Sequence, residues 1–117
     1  MSRTKTGVVR SRKHKKVLEL TKGFRGANTR LYKRAHEALL HAGQYAYIGR
    51  KLRKRDFRKL WIARITAGLK EMEASLNYSR FISALKKKQV VLNRKTLSQL
   101  VTKDFTTFKE VVNKVVG

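Results

Sequence analysis

The sequence predicts an all-α protein: a long basic N-terminal helical arm followed by a small helical bundle. Three observations predict it. The 117 residues include no proline and only seven glycines, so little interrupts a helix, whereas an all-β chain of this length would show regular turn chemistry. Apolar residues recur at three- and four-residue spacing chiefly from Phe57 onward. Positive charge is concentrated before that point. Residues 1–60 carry nineteen Lys and Arg against three acids, net +16, and residues 61–117 carry eleven against four, net +7, within a formal total of +23.

The elements follow in order. A Lys-rich segment from about Arg10 to Lys22 predicts a short first helix, with Gly23 just past its end, and Gly23-Phe24-Arg25-Gly26 predicts a corner. Asn28 or Thr29 is the expected cap of the next helix. That helix should run from Arg30 to about Met72, because it meets neither proline nor a polar turn cluster, only isolated glycines at 43, 49 and 68. A bend is expected near Gly43 or Gly49. Between Arg30 and Arg55 the apolar residues form no stripe wide enough for a core face, so this stretch would be marginal on its own in water.

From Phe57 the pattern changes. Phe57, Trp61, Ile65 and Leu69 step by four, with Leu60 and Met72 beside them, and core formation is expected to begin there. Tyr78, Phe81, Ile82 and Leu85 predict a second helix of the bundle. Leu97, Leu100 and Val101 predict a third, capped by Asn93, and Phe105, Phe108, Val112 and Val115 a fourth behind Asp104. The expected division is an extended basic arm, 1–58, and a small globular helical domain, 59–117. About 60 residues make an independent but marginally stable domain. The arm has no comparable core and is expected to order on binding. There is no internal repeat and no low-complexity tract beyond the charge runs.

A compact fold with this charge repels itself unless a polyanion neutralises it, which points to nucleic acid. Arg10, Arg12, Lys13, His14, Lys15 and Lys16 form one basic cluster; Arg50, Lys51, Arg53, Lys54, Arg55, Arg58 and Lys59 form a second. Each can neutralise several phosphates and release their counterions. At about 100° per residue, the second cluster spreads over about 240° of the helix circumference. That suits a helix surrounded by phosphates inside a folded RNA better than one lying along a duplex. Phe24, Tyr32, Tyr45 and Tyr47 lie among the bases. Unpaired bases can stack on such rings, or the rings can pack on a neighbouring helix or protein; the sequence leaves both open. A nuclear-import address needs less than two basic clusters embedded in helices.

Other classes are excluded or disfavoured. Without cysteine there is no disulfide framework and no thiolate zinc site. No apolar run approaches the roughly 20 residues of a bilayer span, and no apolar signal core follows the basic N-terminus. A cationic membrane-active helix needs a continuous apolar face, which residues 30–59 lack. Glu37 and His41 share a helix face, but His36 points about 140° away from His41, so no metal or other cofactor is expected. Gly23-Phe24-Arg25-Gly26 lacks the spacing and the Lys-Ser/Thr of a phosphate-binding loop. The seven acids are scattered, Glu71 and Glu73 point to different faces, and no Ser-His-Asp order occurs. Neither an enzyme nor a small-molecule substrate is expected. The acid-free segment Met1–Lys16 also has the composition of an organelle transit peptide.

The run Lys54-Arg55-Asp56-Phe57-Arg58-Lys59-Leu60-Trp61-Ile62-Ala63-Arg64-Ile65 resembles the signature of the bacterial-type large-subunit ribosomal protein L20 family. The resemblance extends through His14-Lys15-Lys16-Val17-Leu18, Lys22-Gly23-Phe24-Arg25-Gly26, Arg30-Leu31-Tyr32, Ala42-Gly43-Gln44-Tyr45-Ala46-Tyr47, Tyr78-Ser79-Arg80-Phe81-Ile82 and Leu92-Asn93-Arg94-Lys95. It begins near Arg3, so the basic N-terminus is expected to belong to the mature protein. Two departures stand out. Thr66 occupies a position where the family usually has Asn, and Ala67 to Asn77 is about two residues longer and lacks the usual Gly shortly before Tyr78.

The resemblance implies an arm that threads into large-subunit ribosomal RNA and a C-terminal domain seated at an RNA junction. It also implies a role in early subunit assembly and contacts with neighbouring large-subunit ribosomal proteins. The setting would be a cytoplasmic ribosome, or alternatively a plastid or mitochondrial one; in some bacteria the family represses its own messenger. Beside the two clusters, the expected RNA-binding residues are Arg3, Lys5, Lys22, Phe24, Arg25, Arg30, Tyr32, Arg34, Arg64, Arg80, Arg94 and Lys95. A histone-like DNA-compacting protein shares the charge and is the alternative; it would bind duplex DNA as well as folded RNA.

Overall fold

The computed structural model describes residues 3–72 and 76–117. Among them every regular element is helical: α1 (Gly7–Leu20), a one-turn 3-10 helix (Gly26–Thr29), α2 (Tyr32–Glu71), α3 (Tyr78–Lys87), α4 (Arg94–Lys103) and α5 (Phe105–Val116). The chain forms two compact units, Met1–Lys51 and Leu52–Gly117, and α2 contributes to both.

In the first unit α1 begins and ends slightly before the expected Arg10–Lys22 span. Its exit is closed by Thr21 N–H to Val17 O (3.1 Å) and Phe24 N–H to Thr21 O (3.1 Å). Gly23 adopts φ +84° and Gly26 φ +63°, left-handed conformations that a side chain resists. The predicted corner is therefore present. The predicted cap is not, because Asn28 and Thr29 lie inside the 3-10 turn. The N–H groups such a cap would satisfy, those of Arg30 and Leu31, already donate to Ala27 O at 3.1 and 3.0 Å. Thr29 Oγ1 donates back to Gly26 O (3.1 Å) instead.

Among the described residues of this unit only Thr21 and Ala35 are fully buried. On α1 the half-buried His14, Val17 and Leu18 and the buried Thr21 fall within about 100° of the circumference. This narrow seam, not an apolar stripe, is what α1 turns inward. Helix α2 continues through Gly43 and Gly49.

In the second unit the core comprises Ile65, Leu69, Phe81, Leu85, Leu97, Phe108, Val112 and Val115, with Met72, Tyr78, Ile82 and Val101 among the residues packed on it. It begins eight residues later than the sequence pattern suggests. Phe57 and Leu60 are 49% and 42% exposed. Trp61 is half-buried and stacks on Phe57, centroids 6.2 Å apart, outside the core. The reason is length: every residue of α2 from Gly43 to Leu60 is exposed, whatever its face, so α2 runs on beyond the helices that cover Ile65 and Leu69.

Gly68 marks a close approach. A Cβ there would sit 3.0 Å from Phe108 Cε1 and from Val101 Cγ2, so α2 meets α4 and α5 backbone-first. Phe81 and Phe108 pack edge to face, centroids 6.1 Å apart, a preferred aromatic geometry. Thr66, at the family's usual Asn position, returns its hydroxyl to Ile62 O (2.8 Å) and so sits in α2 without an unpaired polar group.

Side-chain caps start all three short helices. Asn77 Oδ1 accepts from Arg80 N–H (2.9 Å), Asn93 Oδ1 from Thr96 N–H (2.8 Å) and Asp104 Oδ1 from Thr107 N–H (3.1 Å). Asn93 and Asp104 are the caps the sequence predicts. Helix α3 ends with Gln89 at φ +55°, its N–H donating to Lys86 O (3.1 Å) and that of Val90 to Leu85 O (3.0 Å). This is a Schellman closure with Gln where Gly is usual. Asp104 both ends α4, through its N–H to Leu100 O (2.9 Å), and starts α5. In the lengthened stretch Ala67 to Asn77, residues 73–75 lie outside the described residues, as does the comparison of Glu71 with Glu73.

Candidate nucleic-acid interface

The chemistry this surface offers is cationic. In α1, Arg10, Arg12, Lys13, Lys15 and Lys16 are all exposed, and the helix contains no buried residue. At about 100° per residue, Arg12, Lys13, Lys15 and Lys16 occupy the circumference left over by the seam of His14, Val17, Leu18 and Thr21, while Arg10 stands on the seam's own arc one turn before His14. Arg3 and Lys5 are exposed in the segment leading into α1, and Lys22, Arg25 and Arg30 are exposed around the corner.

On α2, Arg34, Arg50, Lys51, Arg53, Lys54, Arg55, Arg58, Lys59 and Arg64 are exposed. The second cluster straddles the boundary between the compact units, with Arg50 and Lys51 in the first and the rest in the second. From Gly43 to Leu60 every residue of α2 is exposed. Arg80 and Lys95 are exposed near the starts of α3 and α4.

Arg94 differs from the others. It is half-buried, and its Nε donates to the Tyr78 hydroxyl at 2.7 Å. A guanidinium has five N–H donors in a fixed fork. One is spent on Tyr78, so the plane is oriented and the two terminal nitrogens remain for an anion.

The aromatic residues divide. Tyr32 is stacked on His14, ring centroids 3.8 Å apart, and tilts against His36 at 5.7 Å. Phe24 is half-buried. Tyr45 and Tyr47 are 70% and 54% exposed, with Lys51 Nζ 4.4 Å from the Tyr47 centroid and His41 stacked near Tyr45. The structure thus brings Lys5, Arg10, Lys13, His14 and Tyr32 together around one cleft, while Arg80, Arg94 and Lys95 belong to the other compact unit.

Sequence reasoning singled out His14 and Tyr32 separately and missed their pairing. The four-residue step from His14 to Leu18, interleaved with Val17 and Thr21, was the available signal. Nothing in the sequence announces the bond between Tyr78 and Arg94. Among the described residues no group of three or more His, Asp or Glu could hold a metal ion. No helix among them is long and apolar enough to cross a membrane.

Comparison with known proteins gives one consistent result. A family model described as ribosomal protein L20 matches residues 3–111. The large ribosomal subunit protein bL20 of Caldanaerobacter subterraneus subsp. tengcongensis is 50% identical, over 97% of this chain and 93% of its own length. That of Acinetobacter baumannii strain SDF is 47% identical over 100% and 97%. The bL20c protein of Pyropia yezoensis is 48% identical over 98% of both chains.

Proposed function

Because the chain belongs to the ribosomal protein L20 family, a family of structural ribosomal components and not of enzymes, we propose that it is built into the large ribosomal subunit and binds that subunit's RNA directly. Residues 1–58 act as the RNA-penetrating arm and residues 59–117 as a compact RNA-binding domain. The observation that carries this reading is the unbroken exposure of α2 from Gly43 to Leu60, with seven cations dispersed around it. A helix exposed all along this stretch, with charge on several sides, fits an environment of phosphates on several sides.

The mechanism is charge neutralisation with counterion release, coupled to ordering of the arm. Phosphate contacts fix position and orientation, and shape recognition by the C-terminal domain supplies the rest. A chain that draws separate RNA segments together supports early assembly of the subunit. The remaining exposed surface then meets neighbouring large-subunit proteins. The ribosome is a cytoplasmic or plastid one, the settings that relatives named bL20 and bL20c suggest.

The test is to crosslink the protein to nucleic acid in its own cells and sequence what is attached. Reads concentrated in a few large-subunit ribosomal RNA helices are expected. Reads dispersed over genomic DNA would replace this function with DNA compaction.

A further inference from the structure

The open cleft between the N-terminal segment, α1 and the start of α2 offers about 450 Å³ and is lined by Lys5, Thr6, Val9, Arg10, Lys13, His14 and Tyr32. That volume lies in the range of sites for small organic molecules, about 300–1,000 Å³. Its lining is composed in two parts. Lys5, Arg10 and Lys13 bring three cations and no acid. His14, Tyr32 and Val9 bring two rings and an apolar wall, and Val9 is 56% exposed.

The arrangement of the rings decides what can enter. Tyr32 covers one face of the His14 imidazole at 3.8 Å and 24°, and is itself flanked by His36. Tyr32 takes up one face of the imidazole, and the half-buried His14 also lines the cleft. Residues 9 and 13, and residues 10 and 14, are one helical turn apart. Val9 with Lys13, and Arg10 with His14, therefore form two neighbouring pairs, and all four residues line the cleft.

We propose that this cleft receives a single unstacked nucleotide of the bound RNA, its base lying on His14 and against Val9 and its phosphates held by Lys5, Arg10 and Lys13. The inference rests on the RNA-binding function proposed above and adds the kind of RNA element recognised. A base inside a duplex already has both faces stacked and offers none to a ring. Bulged and loop nucleotides do, and single-stranded elements are where proteins read RNA by stacking. The cleft thus gives the arm a fixed point along the RNA that charge alone does not supply, because phosphates repeat along every helix and an extruded base does not.

The experiment uses the full chain and transcribed large-subunit ribosomal RNA. Ultraviolet irradiation, nuclease digestion and peptide mass spectrometry should find a nucleotide adduct on the peptide carrying His14 or Tyr32, and sequencing should place it at an unpaired position. His14→Ala should weaken binding about tenfold, the scale of one base stacked on a ring, while His14→Phe, which preserves both stacking faces, should stay within about twofold of the unaltered protein. Arg10→Ala with Lys13→Ala should lower the slope of log affinity against log salt by about two, one for each phosphate that is no longer neutralised.

Affinity loss in His14→Ala without any adduct would make the ring only a tie between α1 and α2 and overturn the proposal. So would an adduct at a base-paired position, or His14→Phe as weak as His14→Ala. Unaltered protein that binds duplex DNA as tightly as this RNA overturns the function proposed above; unaltered protein that prefers the RNA but yields no adduct overturns the cleft alone.

Discussion

The two compact units are built from the same kind of element but held by different means. Leu52–Gly117 closes eight apolar side chains into one core, including Phe81 and Phe108, both with no exposed surface. Among its described residues, Met1–Lys51 fully buries only Thr21 and Ala35 and adds an imidazole–phenol stack where the other unit has a phenylalanine pair. Neither contains proline, so no residue of that kind interrupts a helix in either. The difference is apolar area removed from water, the main favourable term in folding. One unit can therefore fold against its own side chains, whereas the other lacks that means and has an excess of cations that opposes compaction.

Substitutions in each unit put this contrast to the test. The largest effect belongs to the core. Phe108→Ala should cost about 3–5 kcal/mol, enough to abolish the cooperative thermal transition of a domain this small. Trp61→Ala, outside the core and next to an exposed Phe57, should leave a melt with a midpoint only a few degrees lower. Circular dichroism melts of the two variants side by side separate the cases, and a lost transition in the Trp61 variant would return that residue to the core.

Next is charge without burial. Replacing Arg53, Arg55 and Arg58 by Ala should lower the salt slope of RNA binding by about three, about one per neutralised phosphate. These side chains are exposed, so folding stability should move by less than about 0.5 kcal/mol for each change. An unchanged slope in filter binding over a salt series would remove this stretch from the phosphate-binding surface.

Tyr78→Phe sits between the two regimes. It keeps the ring against the core and deletes only the acceptor that orients Arg94. Stability should fall by about 1 kcal/mol, and RNA affinity should fall, with Tyr78→Phe costing nothing further once Arg94→Ala is in place. Additive losses in that double-mutant cycle would mean that Tyr78 does not act through Arg94.

A smaller effect of opposite sign is expected at Gln89. Its left-handed conformation (φ +55°) favours glycine, so Gln89→Gly should raise stability by about 0.5–1 kcal/mol, measured as a higher denaturant midpoint.

The smallest effect is set by pH. Hydrogen bonds from the Thr107 and Thr106 hydroxyls, then from the Thr107 N–H, hold the Asp104 carboxyl below its ordinary pKa. A depressed carboxyl contributes stability above its unfolded pKa and loses it as pH falls through the folded one. Asp104→Asn retains an acceptor for the cap but not the charge that favours a helix N-terminus. The unaltered chain should melt slightly higher than this variant at neutral pH and together with it in strong acid; a gap that persists in acid would assign the difference to geometry.

The legibility of the molecule follows the same division. The helical class, the three short helices and the caps at Asn93 and Asp104 could be read directly, because each short helix has a dense three-four apolar repeat behind an Asn or Asp. Phe57 and Trp61 misled because α2 outruns the helices that cover it, and a step of four does not by itself say where the covering stops. Asn28 and Thr29 misled because Ala27 O, a backbone group present at every position, took the donors they were expected to satisfy. The cationic residues were legible as composition. The cleft was not, since it exists only after the glycine corner returns Tyr32 to His14, eighteen residues earlier in the chain.

The joint at Asp104 has no slack. One residue terminates α4 and initiates α5, so the rotational phase of α5 is inherited from α4 with no linker to absorb an error. A single residue inserted there would advance α5 by about 100° and carry Phe108, Val112 and Val115 off the core together. Within Arg94–Val116, α4 and α5 therefore form one cranked part whose angle is set by the backbone of a single residue, Asp104 at φ −146° and ψ 78°.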